Sequence, residues 1–300
     1  MASASVALPC TELVDSAAAI EAIHAYLGRL SADAAGRRLR GEEVCDQDFP
    51  VELFALRPAR TTLPPLVLLG GMGPLAGAKG FARACSMFGE RREIVLLQAC
   101  AIPDRTLAIL AGVRSPEQVT LVRELEAALH EAIDHVDSPR RPIDVIALCN
   151  AAHAFLPEVF ARMSRDVVRS ISLVECVVDE LRLRRSRPAL ILGSLGTRTA
   201  RIFARRLDDE GIAFREPSLR AQETLTRAIY EGLKALDWET AFAAGEAVFG
   251  EETGCIVAAC TEIPEILDLL KRTGSDDLKR RLARLDVVDP VELALHAGAA

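Results

Sequence analysis

Aromatic residues are scarce: ten Phe, two Tyr and one Trp make up 4% of the 300 residues. With Ala, Leu and Val dominating instead, the composition suits helices packed on buried parallel strands better than an antiparallel β sandwich. Long apolar runs are missing as well, none approaching the roughly 20 residues a bilayer-crossing helix needs. Met1–Asp15 carries acidic residues and lacks a basic start followed by a long apolar stretch, so it does not read as a secretory leader. A cytoplasmic protein is expected. No basic cluster is interleaved with aromatics, and the net charge of -7 turns away nucleic acid and anionic membrane as partners. No CxxC pair occurs, and Cys255 and Cys260 have no His at zinc-finger spacing. The eight cysteines therefore read as reduced thiols, neither a disulfide framework nor a zinc site. Half the residues are hydrophobic and 26% are charged, as expected of a globular chain with one large or two smaller domains.

Within that frame, Ser16–Leu39 reads as an amphipathic helix, with Ile20, Ile23, Leu27 and Leu30 at helical spacing. A polar stretch, Gly41–Asp48, leads through Phe49–Leu56 to Thr61–Pro65. Two readings stay open for residues 1–60: an appended segment packed on the main domain or a second subunit, or a mobile tail with one helix. From Pro65 onward strands and helices alternate. Leu66–Leu69, Ile94–Leu97, Ile143–Leu148, Ala189–Leu192 and Cys255–Ala259 are short apolar runs of the kind that form buried parallel strands. Helices are expected over Leu75–Phe88, Pro116 to about His135, Arg198–Asp209, Leu219–Leu236 and Pro290–Ala297. The second of these opens on a capping box, Ser115 with Pro116 and Gln118.

The chain also repeats itself. Pro65–Gly73 aligns without gaps on Pro188–Gly196, and Val145–Asn150 aligns on Ile256–Thr261. Each half thus has a strand, a glycine turn, and a later strand ending in a cysteine. The expected fold is α/β: two pseudo-symmetric doubly wound lobes with parallel sheets, plus an N-terminal helical extension. The expected division is 1–60 for the extension, 61–168 with 285–300 for one lobe, and 169–284 for the other.

Ligands of open parallel sheets bind beyond the carboxyl ends of the strands, where Cys149 and Cys260 fall. Each precedes an expected helix start, whose amide dipoles lower a thiol pKa. Two facing sulfurs suit one reaction type: one removes a proton from a carbon centre and the other returns a proton to the opposite face. Cys85, Cys100, Cys176 and Cys255 read instead as packed side chains, and Cys10 and Cys45 as incidental. Gly70–Pro74 has neither dinucleotide-binding nor P-loop spacing; a turn aiming amides at a carboxylate explains it better.

These segments resemble the aspartate/glutamate racemase superfamily, in particular its aspartate racemase branch. The resemblance is carried by Leu69–Ala76, Ile102–Thr106, Leu148–Phe155, Gly193–Thr197, Ile229–Lys234 and Cys260–Pro264, in order, and spans about Pro65–Ala300. It implies a fold of two α/β lobes, no pyridoxal phosphate or other cofactor, no metal, and a homodimer. It implies catalysis by Cys149 and Cys260, and substrate carboxylates held by Arg105 and Lys234. Met72, Asn150, Ala151, Ser194, Gly196, Thr197, Thr261 and Glu262 complete the expected substrate-binding set, while His153 either tunes the site or merely packs. Three departures touch the substrate walls: Ala151 stands where the family has threonine, Gln98–Ala101 where it is richer in asparagine and proline, and Ala259 where it has glycine. Racemisation of aspartate or glutamate is the expected activity. The alternatives are another small carboxylate or a hydantoin on the same site, or a catalytically weak homologue that binds an amino acid.

Overall fold

The computed structural model describes residues 8–184, 188–250, 252 and 254–299, so the first seven residues of Met1–Asp15 lie outside the described residues. Ten strands form two sheets: β1 (Cys10–Leu13), β2 (Glu52–Leu56), β3 (Leu66–Gly70), β4 (Ile94–Gln98), β5 (Ile143–Ala147), β6 (Val168–Ser170), β7 (Ala189–Gly193), β8 (Phe214–Arg215), β9 (Cys255–Ala259) and β10 (Asp286–Val288). The first sheet has the order β1-β2-β4-β3-β5-β6 and the second β10-β9-β7-β8. All five apolar runs became central strands, each buried throughout. Helices cover both faces, as buried parallel strands require. The chain is an α/β protein of two lobes.

Strand register makes the internal repeat physical. Val67 pairs with Val145 in the first lobe, and Leu190 with Ile256 in the second. These are equivalent positions in the two aligned segments. Each glycine-turn strand therefore lies beside its own cysteine strand in the same register, and both cysteines leave the sheets at matching heights.

The extension is built into the first lobe. β1 runs parallel to β2, and β2 runs antiparallel to β4, so this sheet is mixed rather than wholly parallel. A βαβ unit thereby covers what would be an open edge. Its helix spans Ser16–Leu39, and the Asp15 carboxylate caps it by accepting the Ala18 amide. Ile23 and Leu30 are buried as the spacing predicts, joined by Ala19, Tyr26 and Ala34. The Tyr26 ring meets Phe54 edge-on at 5.4 Å, within the cluster that also takes in Phe81 of the helix Pro74–Phe88. Of the two readings for residues 1–60, the packed segment holds for the residues described.

Other expectations shift. The helix expected over Arg198–Asp209 is two, Leu195–Thr199 and Ile202–Asp209, broken where Arg201 takes the left-handed conformation at φ 51°. The one expected over Leu219–Leu236 changes at Ala228 into a π-helical turn that runs to Lys234. The sequence places residues 285–300 with the first lobe, yet β10 pairs with β9 in the second sheet. β6, at the expected boundary, closes the first sheet instead. Short edge strands such as β10 carry too few residues to show a periodicity of their own. Among the described residues, no helix is long and apolar enough to cross a membrane.

One buried ion pair ties this last segment back to the first lobe. Arg92, wholly buried, meets Asp144 of β5 and donates to the Pro64 and Gly298 carbonyls, each at 2.7 Å. Removing one partner of a buried pair strands the other charge. Asp144 keeps a second cation, Arg169, at 2.6 Å, whereas Asp144 is the one carboxylate paired with Arg92 among the described residues. Asp144→Leu should therefore cost roughly 3–5 kcal/mol in urea unfolding, and a loss below about 1 kcal/mol would contradict this role.

Candidate active site

Both cysteines stand where the repeat puts them. Cys149 follows β5, two residues beyond Ala147, and Cys260 directly follows β9 and its last residue Ala259. They are 7% and 8% exposed. The two segments touch: the Thr261 hydroxyl donates to the Leu148 carbonyl at 3.3 Å, joining the neighbours of the two sulfurs. The Cys260 thiol donates to Glu262 Oε2 at 2.9 Å, and the Thr261 hydroxyl reaches the same oxygen at 3.2 Å. Glu262 thus acts through side chains rather than by bonding the backbone. It occupies space that Gly73 leaves open, since a Cβ there would lie 1.7 Å from Glu262 Oε1.

The expected lowering of thiol pKa by helix dipoles does not hold at Cys260. Burial pushes this thiol well up, and the Glu262 carboxylate pushes it further. A helix does follow, over Ile263–Thr273, but its dipole is outweighed. After Cys149 the chain forms only a 3-10 turn, Ala151–Ala154, before the short helix Leu156–Phe160. His153 turns out to be a brace. Its Nδ1 lies 3.0 Å from the Cys149 carbonyl and its Nε2 accepts the Leu173 amide at 3.1 Å. That pairing makes Nδ1–H the donor. Burial lowers its pKa to about 4, so the ring is neutral at physiological pH.

Arg105 and Lys234 come together although 129 positions separate them in sequence. Arg105 opens the helix Arg105–Leu110, capped by Asp104, and Lys234 ends the π-helical turn. They are 2% and 4% exposed. Between them lies a residue that the sequence did not single out, Asp46, 5% exposed, from the short turn Asp46–Asp48 of the extension. Its Oδ2 accepts from Arg105 at 3.2 Å and from Lys234 at 2.8 Å. Burial alone would raise the Asp46 carboxyl; Lys234 and Arg105 outweigh burial and hold it below the usual range. Both cations are raised in spite of burial: Arg105 by Cys149 and then Asp46, and Lys234 by Asp46 and Tyr230. Met72 supplies a carbonyl, accepting from Arg105 at 2.7 Å.

The remaining expected residues sit around this centre. The Ser194 hydroxyl accepts the Thr197 amide at 3.2 Å, capping Leu195–Thr199. Gly196 lies against Thr106, leaving no room for a Cβ. The Thr106 hydroxyl accepts from Tyr230 at 2.7 Å, which links the second-lobe turn to the Arg105 helix. Asn150 is buried with neither amide atom partnered among the described residues, and Ala151 is buried beside it. Gln98 serves packing: it donates to the Pro74 carbonyl at 2.8 Å and fills the space beside Gly70 and Gly77. A surface hollow of about 990 Å³ lies off this centre, lined by His153, Phe160, Arg169 and Arg206 among others, and by neither Cys149 nor Cys260.

The profile of the Asp/Glu/hydantoin racemase family matches residues 69–298. The chain belongs to that family. Solved structures agree on the fold. An aspartate racemase from Picrophilus torridus is 22% identical, with a TM-score of 0.59 over 78% of this chain and 92% of its own. An aspartate racemase homologue from Pyrococcus horikoshii is 18% identical, with a TM-score of 0.50 over 79% of this chain and 98% of its own. The matched family region begins after Asp46, so the carboxylate between the two cations comes from outside it.

Two outcomes check this description. Glu262→Gln removes the charge beside Cys260, so the pH at which that thiol ionises should fall, followed by ultraviolet thiolate absorbance against a Cys260→Ser blank. An unchanged or higher titration would contradict the placement. Neutral His153 stabilises the fold fully above the unfolded imidazole pKa near 6.5, and the contribution is lost as pH falls through about 4. Melting temperature should therefore drop over that window, and drop less in His153→Gln.

Proposed function

We propose that this chain is a cofactor-independent amino-acid racemase in which Cys149 and Cys260 exchange a proton with the two faces of Cα. The observation that carries the reading is the joining of two strand-terminal cysteines, equivalent by repeat and register, through the Thr261–Leu148 hydrogen bond. Family membership supports it.

The surroundings of the two sulfurs differ. Cys149 lies within electrostatic reach of the Arg105 cation, whereas Cys260 donates to the Glu262 carboxylate. In the direction in which Cys149 is the base, its thiolate takes the Cα proton and becomes a thiol. The electron pair left on Cα spreads into the substrate carboxylate. Cys260 then delivers its proton to the opposite face and becomes the thiolate, so charge is conserved and configuration inverted. The reverse reaction starts with the roles exchanged. The buried, unpartnered Asn150 amide and Arg105 Nε–H are suited to the carboxylate that carries the developing charge. Ser194 and Thr197 shape the second-lobe wall.

Aspartate or glutamate fits this scheme only if Arg105 and Lys234 release Asp46 to bind the substrate. The arrangement therefore supports the reaction type more strongly than that substrate. A homodimer, implied by the resemblance, belongs to the same proposal.

Solvent deuterium should enter Cα of a substrate amino acid, followed by mass spectrometry over a panel of L and D enantiomers. Cys149→Ser and Cys260→Ser should each lower racemisation by at least about 10²-fold, and thiol alkylation should abolish it. Exchange that persists unchanged in both variants would rule out the two-thiol mechanism.

A further inference from the structure

Asp46 has a role that its position outside the family region makes legible. Two cations buried side by side repel one another, and an unpaired buried charge is strongly unfavourable. Within residues 69–298, two carboxylates lie near them: Asp104, 3.8 Å from Lys234 and engaged as the cap of its helix, and Glu262, within electrostatic reach of Lys234 and engaged by the Cys260 thiol. Among the described residues, the family region by itself thus offers no carboxylate hydrogen-bonded to both Arg105 and Lys234. In this chain the extension supplies that anion permanently.

The geometry points to Asp46 as a built-in substitute for the second carboxylate of an acidic substrate, making this enzyme selective for amino acids with a single carboxylate. The inference rests on the proposed racemase reading and narrows its substrate class.

Three observations carry it. First, the donors are spent. The terminal nitrogens of Arg105 serve Ile102, Pro103, Asp46 and Met72, and the Lys234 ammonium donates to Asp46, lies 3.8 Å from Asp104 and sits over the Tyr230 ring at 4.5 Å. With Asp46 and Asp104 opposite Arg105 and Lys234, and Glu262 within reach of Lys234, no net positive charge remains there to attract a second carboxylate of the substrate. Second, the turn is pinned in place. Gln47 donates to the Ile102 carbonyl at 3.3 Å. Arg38 donates to the Ala235 and Leu236 carbonyls at 2.6 and 3.1 Å, directly beyond Lys234. Arg37 holds Asp48 at 3.0 Å, and Phe49 is buried. A swinging plug would not be tied at both ends. Third, the polar atoms left over suit a zwitterion. Arg105 Nε, Asn150 Nδ2, Asn150 Oδ1 and Glu262 Oε1 are buried without partners among the described residues. Two donate and two accept, which answers one carboxylate and one ammonium rather than a second anion.

The test compares wild type with Asp46→Asn, nearly isosteric, and Asp46→Ala, which vacates the space. Succinate is the dicarboxylate probe, its binding read by calorimetry and by melting temperature, and Cα deuterium exchange is followed on alanine, serine, methionine, aspartate and glutamate. Wild type should exchange the single-carboxylate substrates and bind succinate weakly. Both variants should bind succinate roughly tenfold tighter or more, and should gain exchange on aspartate or glutamate mainly through a lower KM. Acetate should restore the melting temperature of Asp46→Ala, and succinate should raise it even where that variant is only marginally folded. Wild type binding succinate as tightly as the variants, or exchanging aspartate or glutamate faster than the neutral substrates, would overturn the assignment. If no protein exchanges any amino acid, the racemase reading fails, and the succinate comparison still decides the role of Asp46.

Discussion

A carboxylate shared by two buried cations organises the centre of this molecule. Arg105 and Lys234 come from different elements, and both are inaccessible to water that could screen them. Their mutual repulsion is strongest in such a low-dielectric setting. Asp46 Oδ2, within hydrogen-bond distance of both, turns that repulsion into a bridge. The bridge fixes where the extension must run, since the turn that carries Asp46 lies between the helix Ser16–Leu39 and the strand Glu52–Leu56. The position of β2 between β1 and β4 and the charge balance around Arg105 and Lys234 both accord with this one constraint.

The same electrostatic logic separates the two cysteines. Repeat and register give them equivalent backbone positions, yet their neighbours carry opposite charges. A cation stands within reach of one sulfur, and a carboxylate accepts a hydrogen bond from the other. Symmetry of fold gives the two cysteines equivalent backbone positions; asymmetry of charge gives their sulfurs different neighbours. The proposed racemisation would run in both directions, so the difference between the two sulfurs has to be one that substrate can reverse. Glu262 is well placed for that task. One of its oxygens takes bonds from Cys260 and Thr261, while the other is left without a partner among the described residues.

Much of the fold was legible in the sequence because its determinants are local. Buried parallel strands appear as continuous apolar runs, and all five were read correctly. Ser115 and Pro116 marked a helix start that the structure keeps at Pro116. The gapless repeat anticipated strand register, which is harder to read than strand existence. Reading failed where distant partners decide. Arg201 breaks a helix by a left-handed residue that no Gly or Asn announces. The turn at Ala228 is π-helical although its residues suit an ordinary helix, and the difference places Tyr230 and Lys234 toward Thr106 and Asp46. β10 joins the second sheet because of where β9 lies. The Cys260 thiol was expected to be acidic on the strength of a helix start, a local feature, but burial and Glu262 decide it.

Asp46 is the instructive omission. It lies in Gly41–Asp48, a stretch of charged residues that reads as a solvated loop, and nothing adjacent distinguishes it from Asp48, which stays accessible and pairs with Arg37. Its partners lie 59 and 188 positions away. A signal of another kind was nevertheless present. Two cations expected to meet substrate belong to a region in which, among the described residues, no carboxylate bridges them, and a chain that adds an acidic segment to such a region has the means to supply that bridge itself. Where a binding site is defined by an unmet charge, an extension that carries the opposite charge is the part of the sequence in which substrate choice is to be sought. The catalytic geometry can then stay the same while the chemical class of the ligand changes, because the proton-transfer pair and the charge that selects the substrate reside on separate segments.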